Sequence, residues 1–452
     1  MASTAIYRTL SQNYGTGGGI TTISFWFKRA KLGVAQCLTS SYYSVSYYGQ
    51  FQIGSNDQLT IQDWRASNVY SKTTNMVFRD TSSWYHVCWS FNNRTGGSSS
   101  SNLWINGELI TSWSSETEYS YQATTSWNTD YTHYIGCLNT SASQAYFDGL
   151  ISDYYFIQGQ AYNASTFGET DATTGIWKPK TSPTIDYSGT GNNSCHLKFE
   201  NSSNMDLDSG DNNLTFTTSG NLIQTVDTPS NVFATMNPLD NYYFGGTFTN
   251  GNNTVLSGSS SYSYCSSTMH VSKGKWYCEV KGVSVAPAMR LGIGSKIATS
   301  ASDNLGNDTD GEAALYPSGS IKVDNVDNPN SWSGTSWTDN DIIGIAMDLD
   351  NNKLYFAKNG TWMNSADPSA GTGGINITAP ASTSTGAYFI GWGDNWNAGT
   401  ATMSHNFGNG YFGTTAVSSA TSDESGLGIF EYTVPSGYYA LCTKNINEQE
   451  YD

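Results

Sequence analysis

Paired carboxylates come closest to a catalytic arrangement in this sequence. Asp148 and Asp153 both lie in FDGLISDYYFI, a stretch with the apolar pattern of a strand. A retaining glycoside hydrolase needs two carboxylates about 5 Å apart, one of which an apolar setting keeps protonated. Successive side chains of a strand alternate between its faces, so an odd spacing of five places these two aspartates on opposite sides. We therefore expect them not to form a catalytic pair.

The histidines offer no base for a nucleophile. They are separated along the chain from one another and from any GxSxG-type motif, and they are His86, His133, His196, His270 and His405. A histidine alone in a strand pattern is more often a structural residue with satisfied ring nitrogens than a base. The sequence thus predicts no acyl transfer, no enzyme activity and no cofactor.

An acidic stretch, DNLGNDTDGE, runs from Asp303 to Glu312 and invites comparison with calcium loops. If Gly311 were the invariant glycine of an EF-hand loop, side-chain ligands would be needed at Gly306 and Pro317, which have none to offer. We therefore expect a solvated polar loop here and assign no metal ligand.

Two loops place tryptophans among Gly, Ser, Asp and Asn. Tryptophan offers a large contact face at a low cost in side-chain entropy, and Asn or Asp can hydrogen-bond hydroxyl groups, so this mixture suits glycans and protein surfaces. The alternative is that each tryptophan folds back and caps its own domain, and the sequence leaves both interpretations open. The candidate ligand-binding residues are Trp332, Trp337, Trp392, Asp394, Trp396 and Asn397.

Composition indicates a chain of many short strands. Charged residues are only 13% of the 452 residues, whereas Gly (46), Tyr (30) and Trp (14) are abundant. This mixture disfavours helical bundles and favours strands joined by turns, and the length predicts two or three domains. The net charge of −17 makes nucleic acid and anionic membranes poor partners because their phosphates would be repelled.

The chain start, MASTAIYRTL, lacks the basic and apolar regions of a signal peptide, and no segment approaches ~18 consecutive apolar residues. We expect synthesis in a cytoplasm. The seven cysteines show no CxxC spacing, so free buried thiols are favoured over disulfides or a zinc site.

Alternating apolar residues mark strands in the first third of the chain. Thr21–Lys28 (TTISFWFK) alternates Ile, Phe and Phe with Ser, Trp and Lys, and Trp84–Phe91 follows the same pattern. LWINGELI then places Asn106-Gly107 between two short strands, which predicts a two-residue hairpin turn.

A second hairpin is predicted in DIIGIAMDLDNNKLYFAKNGTW, which runs from Asp341 to Trp362. Asn351-Asn352 suits a two-residue turn because asparagine tolerates positive φ. That turn would place apolar residues opposite one another and join opposite charges beside the turn, in the pairs Asp350 with Lys353, Leu349 with Leu354 and Met347 with Phe356.

These segments resemble two known folds. SFWFK, WYHVCWSF, LWINGELI, YIG and FDGLISDYYFI, in that order, resemble the laminin-G-like, concanavalin A-like jelly roll. The second hairpin with KNGTW, preceded by GKWYCEV and RLGIG and followed by AYFIGWG and ATMSHNF, resembles the SPRY domain. We therefore predict an all-β chain of two antiparallel β-sandwiches: a laminin-G-like domain at residues 1–168, an irregular connector with a short strand at 169–230, and a SPRY-like domain at 231–452.

The connector carries a narrower resemblance. QGQAYNASTFGETDATTGIWKPK, LKFE and DTPSNVFATMNPL, with VPSGYYALCTKNI near the end, are similar to virion proteins of tailed bacteriophages. The resemblance implies a non-enzymatic structural protein on the virion surface, made in the host cytoplasm, as a homo-oligomer in contact with other virion subunits.

Two functions fit such a protein: a tail-fibre or appendage component that recognises host surface glycan or protein, or a decoration protein that docks on other subunits. A glycan depolymerase is less favoured, because the Glu-x-Asp-x-x-Glu pattern usual in this architecture is missing from the sequence. Laminin-G-like domains often hold calcium through irregular loops, so the resemblance also allows a structural calcium ion whose ligands the sequence does not assign.

Overall fold

The computed structural model describes residues 4–11, 19–94, 97–140, 145–189, 192–258, 262–329, 332–395 and 399–451. The chain divides into two compact units next to residue 230. The first comprises Met1–Gln224 and Thr228–Ser230, and the second Thr225–Asp227 and Asn231–Asp452. Both are built almost wholly of antiparallel strands, which confirms the predicted all-β class.

The first unit is a two-sheet sandwich. Its strands are β1 Ala5–Thr9, β2 Ile20–Arg29, β3 Gln36–Ser44, β4 Tyr47–Ile53, β5 Gln58–Arg65, β6 Asn68–Val77, β7 Trp84–Asn92, β8 Ser100–Ile105, β9 Glu108–Leu109, β10 Trp113–Thr117, β11 Thr132–Ile135, β12 Gly149–Gln158, β13 Gly168–Thr170, β14 Trp177–Pro179, β15 Cys195–Leu197 and β16 Thr217–Ser219, with single 3-10 turns at Ser126–Asn128 and Ala164–Thr166. An eight-stranded sheet has the order β10-β6-β5-β4-β3-β11-β1-β16, and a six-stranded sheet has the order β15-β12-β2-β7-β8-β9. The apolar residues of the predicted strands, such as Phe25 and Trp89, form the core with those of the other sheet.

The Asn-Gly turn is confirmed. Ile105 pairs with Glu108, and the two turn residues have φ of 49° at Asn106 and 84° at Gly107, as a type I′ turn requires. A side chain at Gly107 would also meet the ring of Trp177 at 2.7 Å, so this position needs glycine twice over.

The polar side of the predicted strands is covered rather than solvated. On β2 the residues between the core positions, including Ser24 and Trp26, are themselves buried. The covering residues come from the chain after β12: Tyr162, Phe167, Trp177, Ile185 and Tyr187. The outer face of the six-stranded sheet is therefore a second apolar layer.

Part of the predicted connector joins the first unit's sheets. Strand β15 pairs with β12 through Phe156 and Cys195, and β16 pairs with β1 through Tyr7 and Thr217. The expected short strand thus exists, although it adds an edge to a sheet instead of standing between two domains.

The second unit contains a second sandwich. Its strands are β17 Thr247–Thr249, β18 Thr254–Leu256, β19 Tyr262–Ser266, β20 Lys275–Ser284, β21 Arg290–Gly294, β22 Ala313–Leu315, β23 Ile321–Val323, β24 Val326–Asp327, β25 Ile342–Asp348, β26 Lys353–Lys358, β27 Thr361–Trp362, β28 Ile375–Asn376, β29 Phe389–Asn395, β30 Thr402–Asn406, β31 Tyr411–Phe412, β32 Thr415–Ala416, β33 Thr421–Ser422, β34 Ile429–Phe430 and β35 Tyr439–Ala440. Short helical turns lie at Met363–Ser365 and Pro380–Ser382, and the chain ends in α1 Thr443–Ile446 followed by Asn447–Tyr451. A nine-stranded sheet (β17-β18-β30-β20-β25-β26-β27, with β28 on β26 and β35 on β20) faces a six-stranded sheet (β19-β29-β21-β22-β23-β24) across one core.

The second predicted hairpin exists, but its register is wrong by two residues. Met347 pairs with Leu354 and Asp348 with Lys353, so the loop has four residues, 349–352, instead of two. The Asp348 carboxylate accepts the backbone N–H of Asn351 at 3.0 Å and so stabilises the longer loop. A shift of two leaves every side chain on its predicted face.

A buried carboxylate fixes the C-terminal segment to the nine-stranded sheet. Glu279 on β20 accepts the backbone N–H groups of Glu431 and Tyr432 at 2.8 and 2.9 Å. Burial raises the pKa of Glu279 to about 7. Within the described ranges, no helix is long and apolar enough to cross a membrane.

Candidate functional site

Two of the tryptophans predicted to bind a ligand lie in the core of the second unit. Trp337 and Trp392 are only 1% and 0% exposed. The Trp337 indole N–H donates to the Tyr316 carbonyl at 2.9 Å. The expectation that these rings present a contact face is therefore wrong, because each is needed to fill its own sandwich, as the alternative interpretation proposed.

The other predicted ligand-binding residues do not form an open surface either. Trp332 is half-buried, and its indole N–H donates to the Gly319 carbonyl at 2.8 Å. Asp394 is 2% exposed and accepts the Ser257 hydroxyl at 2.7 Å. Trp396 and Asn397 lie outside the described residues. The structure thus brings no set of these residues together on an open surface within the part of the chain it describes.

A buried Ser-His contact resembles part of a catalytic triad, but its proton lies on the wrong nitrogen. The Trp177 indole donates to His86 Nδ1 at 3.0 Å, so Nδ1 must accept and the neutral ring carries its proton on Nε2. Nε2 lies 2.9 Å from Ser24 Oγ and therefore donates to that oxygen. Burial lowers the pKa of His86 to about 3. This histidine cannot act as a base toward Ser24.

The two aspartates weighed as a catalytic pair are far apart, although not for the predicted reason. Asp148 precedes β12, and a β-bulge between Ser152 and Tyr155 interrupts the alternation on which the odd spacing relied. Asp153 has a φ of 49° in this bulge and lies 3.3 Å from His196 Nε2. The two aspartates are five positions apart on an extended strand, a separation on the order of 15 Å, which is too far for either glycosidase geometry.

The acidic loop uses its carboxylates to hold its own backbone. Glu312 accepts the N–H groups of Gly306 and Asp308 at 2.8 and 3.0 Å, and also the Tyr264 hydroxyl. Asp303 accepts the N–H of Ser300 at 3.0 Å. Among the residues that the structure describes, no three His, Cys, Asp or Glu side chains converge as metal ligands.

The outer face of the eight-stranded sheet is the more promising surface. Alternate residues of β3, β4, β5 and β11 point away from the core, whereas their neighbours Phe51 and Ile61 are fully buried in it. The outward residues of these strands are mostly half-buried, as on a face that remains partly open. Residues 137–140 cover part of it, where the fully buried Ser40 hydroxyl donates to the Leu138 carbonyl at 2.7 Å.

Three aromatic side chains form a row across this face, here called the aromatic row. Tyr42 on β3 pairs with Tyr48 on β4, which in turn pairs with Trp64 on β5. The two tyrosine rings are 6.4 Å apart, and burial together with Tyr42 raises the pKa of Tyr48. Since neighbouring strands are about 4.8 Å apart, the row spans about 10 Å. Half-buried rings on a rigid sheet provide a preorganised stacking surface.

Amides and hydroxyls form the next row along the same strands. Gln50 and Gln62 are paired neighbours, flanked by Ser40 and Ser71. Gln50 Nε2 donates to Gln62 Oε1 at 3.3 Å, whereas Gln50 Oε1 is buried and accepts no hydrogen bond from the described residues. Amide groups can both donate to and accept from hydroxyl groups. Gln50 and Ser40 are only 5% and 0% exposed, so the half-buried Gln62 is the amide that this row offers to a ligand. Stacking rings beside an amide match the apolar faces and hydroxyl edges of sugars.

Sequence reasoning missed this face although its signal was present. YGQFQI and QLTIQDWR alternate apolar residues with Gln, Thr and aromatic residues. An outward position that carries Trp64 or Tyr48 instead of a charge is unusual for a solvated face. The missing information was tertiary, because only the fold shows which sheet is covered.

Comparisons with known proteins agree with the first sandwich. Residues 3–166 match the family described as the Concanavalin A-like lectin/glucanases superfamily. A search of curated proteins found no match.

Three solved structures illustrate what the chain is similar to. The SPRY domain of human HERC1 is 14% identical and covers 35% of this chain and 91% of its own, at a TM-score of 0.29. A human SPRY domain is 17% identical and covers 34% of this chain and 90% of its own, at a TM-score of 0.25. A heptameric SAP-like pentraxin from Limulus polyphemus is 15% identical and covers 36% of this chain and 72% of its own, at a TM-score of 0.27.

Proposed function

We propose that this protein is a non-enzymatic recognition protein on the surface of a tailed-phage virion, and that it binds host surface glycan through the aromatic row. The observation that carries the proposal is the asymmetry of the first unit. One sheet has its outer face covered by Trp177 and its neighbours, whereas the other leaves Tyr42, Tyr48 and Trp64 beside an amide row.

Several features support recognition over catalysis. The Ser24–His86 contact is buried and has its proton placed for a donor. The carboxylates Asp148 and Asp153 are too far apart to share a glycosidic bond. Aromatic stacking with amide hydrogen bonds requires no reactive group, so the open face is sufficient for binding alone.

The virion assignment is supported by the sequence resemblance of the connector and by the chemistry of the chain. All seven cysteines are buried free thiols, which suits folding in a reducing cytoplasm before assembly. A net charge of −17 disfavours nucleic acid as the partner. Several copies on one particle would multiply weak individual contacts, so modest affinity per copy is sufficient for attachment.

The test is adsorption of the purified full chain to host cells and to a glycan array. The wild-type protein is expected to bind both, and the Tyr48→Ala/Trp64→Ala double variant is expected to lose at least about tenfold in affinity, because each ring removed is worth on the order of 1 kcal/mol or more. Tyr242→Ala is the matched control, since Tyr242 is an aromatic residue 88% exposed on the second unit.

Each outcome has a distinct meaning. Wild-type protein that binds neither cells nor glycans would favour a decoration protein that docks on other virion subunits. Release of reducing sugar from host polysaccharide would revive the depolymerase. Binding that survives the double variant, with an unchanged melting temperature, would show that the aromatic row is not the site.

A further inference from the structure

An arginine lies between two tyrosine rings at one end of the eight-stranded sheet. The guanidinium carbon of Arg65 is 5.7 Å from the ring centroid of Tyr47 and 5.8 Å from that of Tyr131. Arg65 directly opposes Tyr47 in the β4–β5 register, one position beyond the Tyr48–Trp64 pair. Because successive side chains alternate between faces, Arg65 and Tyr47 lie on the opposite face from the aromatic row, at the end of the same strands. Cation–π contacts on two sides restrict the orientation of a side chain that is otherwise flexible.

The backbone at this position is fixed by a tight turn. The Arg65 N–H donates to the Ser67 carbonyl at 2.8 Å, and the Ala66 N–H donates to the Ser46 carbonyl at 2.6 Å. Ala66 has a φ of 58°. The guanidinium is therefore carried by an ordered strand end and not by a mobile loop.

An exposed ring extends this cluster toward solvent. Tyr43, which is 69% exposed, stacks on Tyr131 with centroids 5.1 Å apart and an interplanar angle of 20°. It also meets Tyr47 edge-on at 6.5 Å. Tyr43 lies at the β-bulge between Tyr42 and Ser44, which displaces it from the regular pairing. A large exposed aromatic surface beside a cation is a typical feature of a binding surface.

The carboxylate of Asp63 lies near Arg65 but accepts its hydrogen bonds from other groups. Asp63 is fully buried and is occupied by the Ser126 N–H and hydroxyl at 2.8 and 2.6 Å and by the Tyr119 hydroxyl at 2.9 Å. Across the described part of the chain, Arg65 forms no ion pair within the usual 4 Å limit. Its hydrogen bond to Thr129 Oγ1 is long, at 3.5 Å. Asp130, next to Tyr131 in the chain, is exposed to solvent.

We propose that Arg65, held by Tyr47 and Tyr131, binds the anionic substituent of an acidic glycan whose sugar ring packs against Tyr43. A planar guanidinium presents paired N–H donors that match the two oxygens of a uronate carboxylate or of a sulfate ester. This inference rests on the proposed function, glycan binding, and adds a second subsite at the strand ends, on the other face from the aromatic row. In a chain with a net charge of −17, selection of an acidic ligand needs such a local, oriented cation.

The test compares matched ligands on the full chain. One pair is a uronate oligosaccharide and the same backbone with its carboxyl groups reduced to hydroxymethyl. The other pair is a sulfated oligosaccharide and its desulfated form. The wild-type protein is expected to bind at least one acidic form about tenfold more tightly than its neutral partner, since hydrogen bonds to charged groups are stronger than those between neutral groups.

Variants then locate the preference. Arg65→Gln should abolish it while binding to the neutral forms is unchanged, and Arg65→Lys should retain only part of it because the ammonium lacks the planar fork. Trp64→Ala, on the outer face, should weaken neutral and acidic forms by the same factor and leave the preference between them unchanged. The pair that loses its preference identifies the group as carboxylate or sulfate.

Contrary results separate the two claims. Glycan binding without an acidic preference, or a preference that survives Arg65→Gln, would overturn the Arg65 site and leave the proposed function standing. Failure of the wild-type protein to bind any glycan would overturn both. If Arg65→Gln does not fold, Arg65→Lys and the wild-type comparison decide the question.

Discussion

The burial of Trp337 makes a prediction that separates a core residue from a binding residue. Its side chain is 1% exposed in the core of the second unit, with its indole N–H bonded to the Tyr316 carbonyl. Replacing a buried tryptophan by alanine removes this packing and leaves a cavity, at a cost of about 3–5 kcal/mol. For a unit of roughly 220 residues this corresponds to a fall in melting temperature of about 6–20 °C.

The assay is thermal unfolding of the full chain, measured by calorimetry or near-UV circular dichroism. Trp337→Phe keeps most of the apolar volume but loses the hydrogen bond, so its cost should be smaller, on the order of 1–2 kcal/mol. Tyr242→Ala, at a side chain 88% exposed, should change the free energy of unfolding by less than about 0.5 kcal/mol. A Trp337→Ala variant with an unchanged melting temperature and lost ligand binding would refute the core assignment.

Three further predictions concern buried charges. Asp57→Ala should destabilise the protein by about 3–5 kcal/mol in a denaturant titration, because it removes the partner that the Arg29 guanidinium contacts at 2.8 Å and both side chains are almost fully buried. Glu200→Ala, which removes an exposed pair with Lys198, should cost less than about 1 kcal/mol in the same measurement. Burial lowers the pKa of folded His86 to about 3, below its unfolded value, so the neutral ring stabilises the fold above about pH 6.5. This stability is lost as the pH falls, by about 3 kcal/mol at pH 4. In His86→Gln the dependence of the unfolding free energy on pH should be flatter over this range. Glu279 has the opposite sign, because its pKa is raised to about 7: its contribution is lost as the pH rises from about 4.5 to 7, by about 3 kcal/mol, and Glu279→Gln should remove that slope, whereas an unchanged pH profile would contradict the assignment.

Local patterns predicted the strands well because the alternation of buried and outward residues in a strand is visible in residues that are neighbours in sequence. The Asn106-Gly107 turn needs positive φ at both positions, and few residue pairs supply it. At the second hairpin the same reasoning was too simple. A side-chain acceptor, Asp348, competes with the two-residue turn and stabilises a longer loop, and only the geometry shows that it lies within reach of Asn351.

The candidate site was predicted less well because burial depends on contacts distant in sequence. Trp392 and Trp64 both follow a polar or glycine residue in a strand-like segment, yet one fills a core and the other lies on an outer face. What distinguishes them is the position of each strand's faces relative to the second sheet and to covering segments such as the one that carries Trp177. Composition cannot supply that information.

The central claim is that the outer face of the eight-stranded sheet binds sugar. The most direct measurement is a crystal structure of the full chain soaked with an oligosaccharide that it binds in the array. The account predicts a sugar ring stacked on at least one of Tyr42, Tyr48 and Trp64, with hydroxyl groups within hydrogen-bond distance of Gln62. An oligosaccharide seated instead on the second unit, with this face empty, would contradict it.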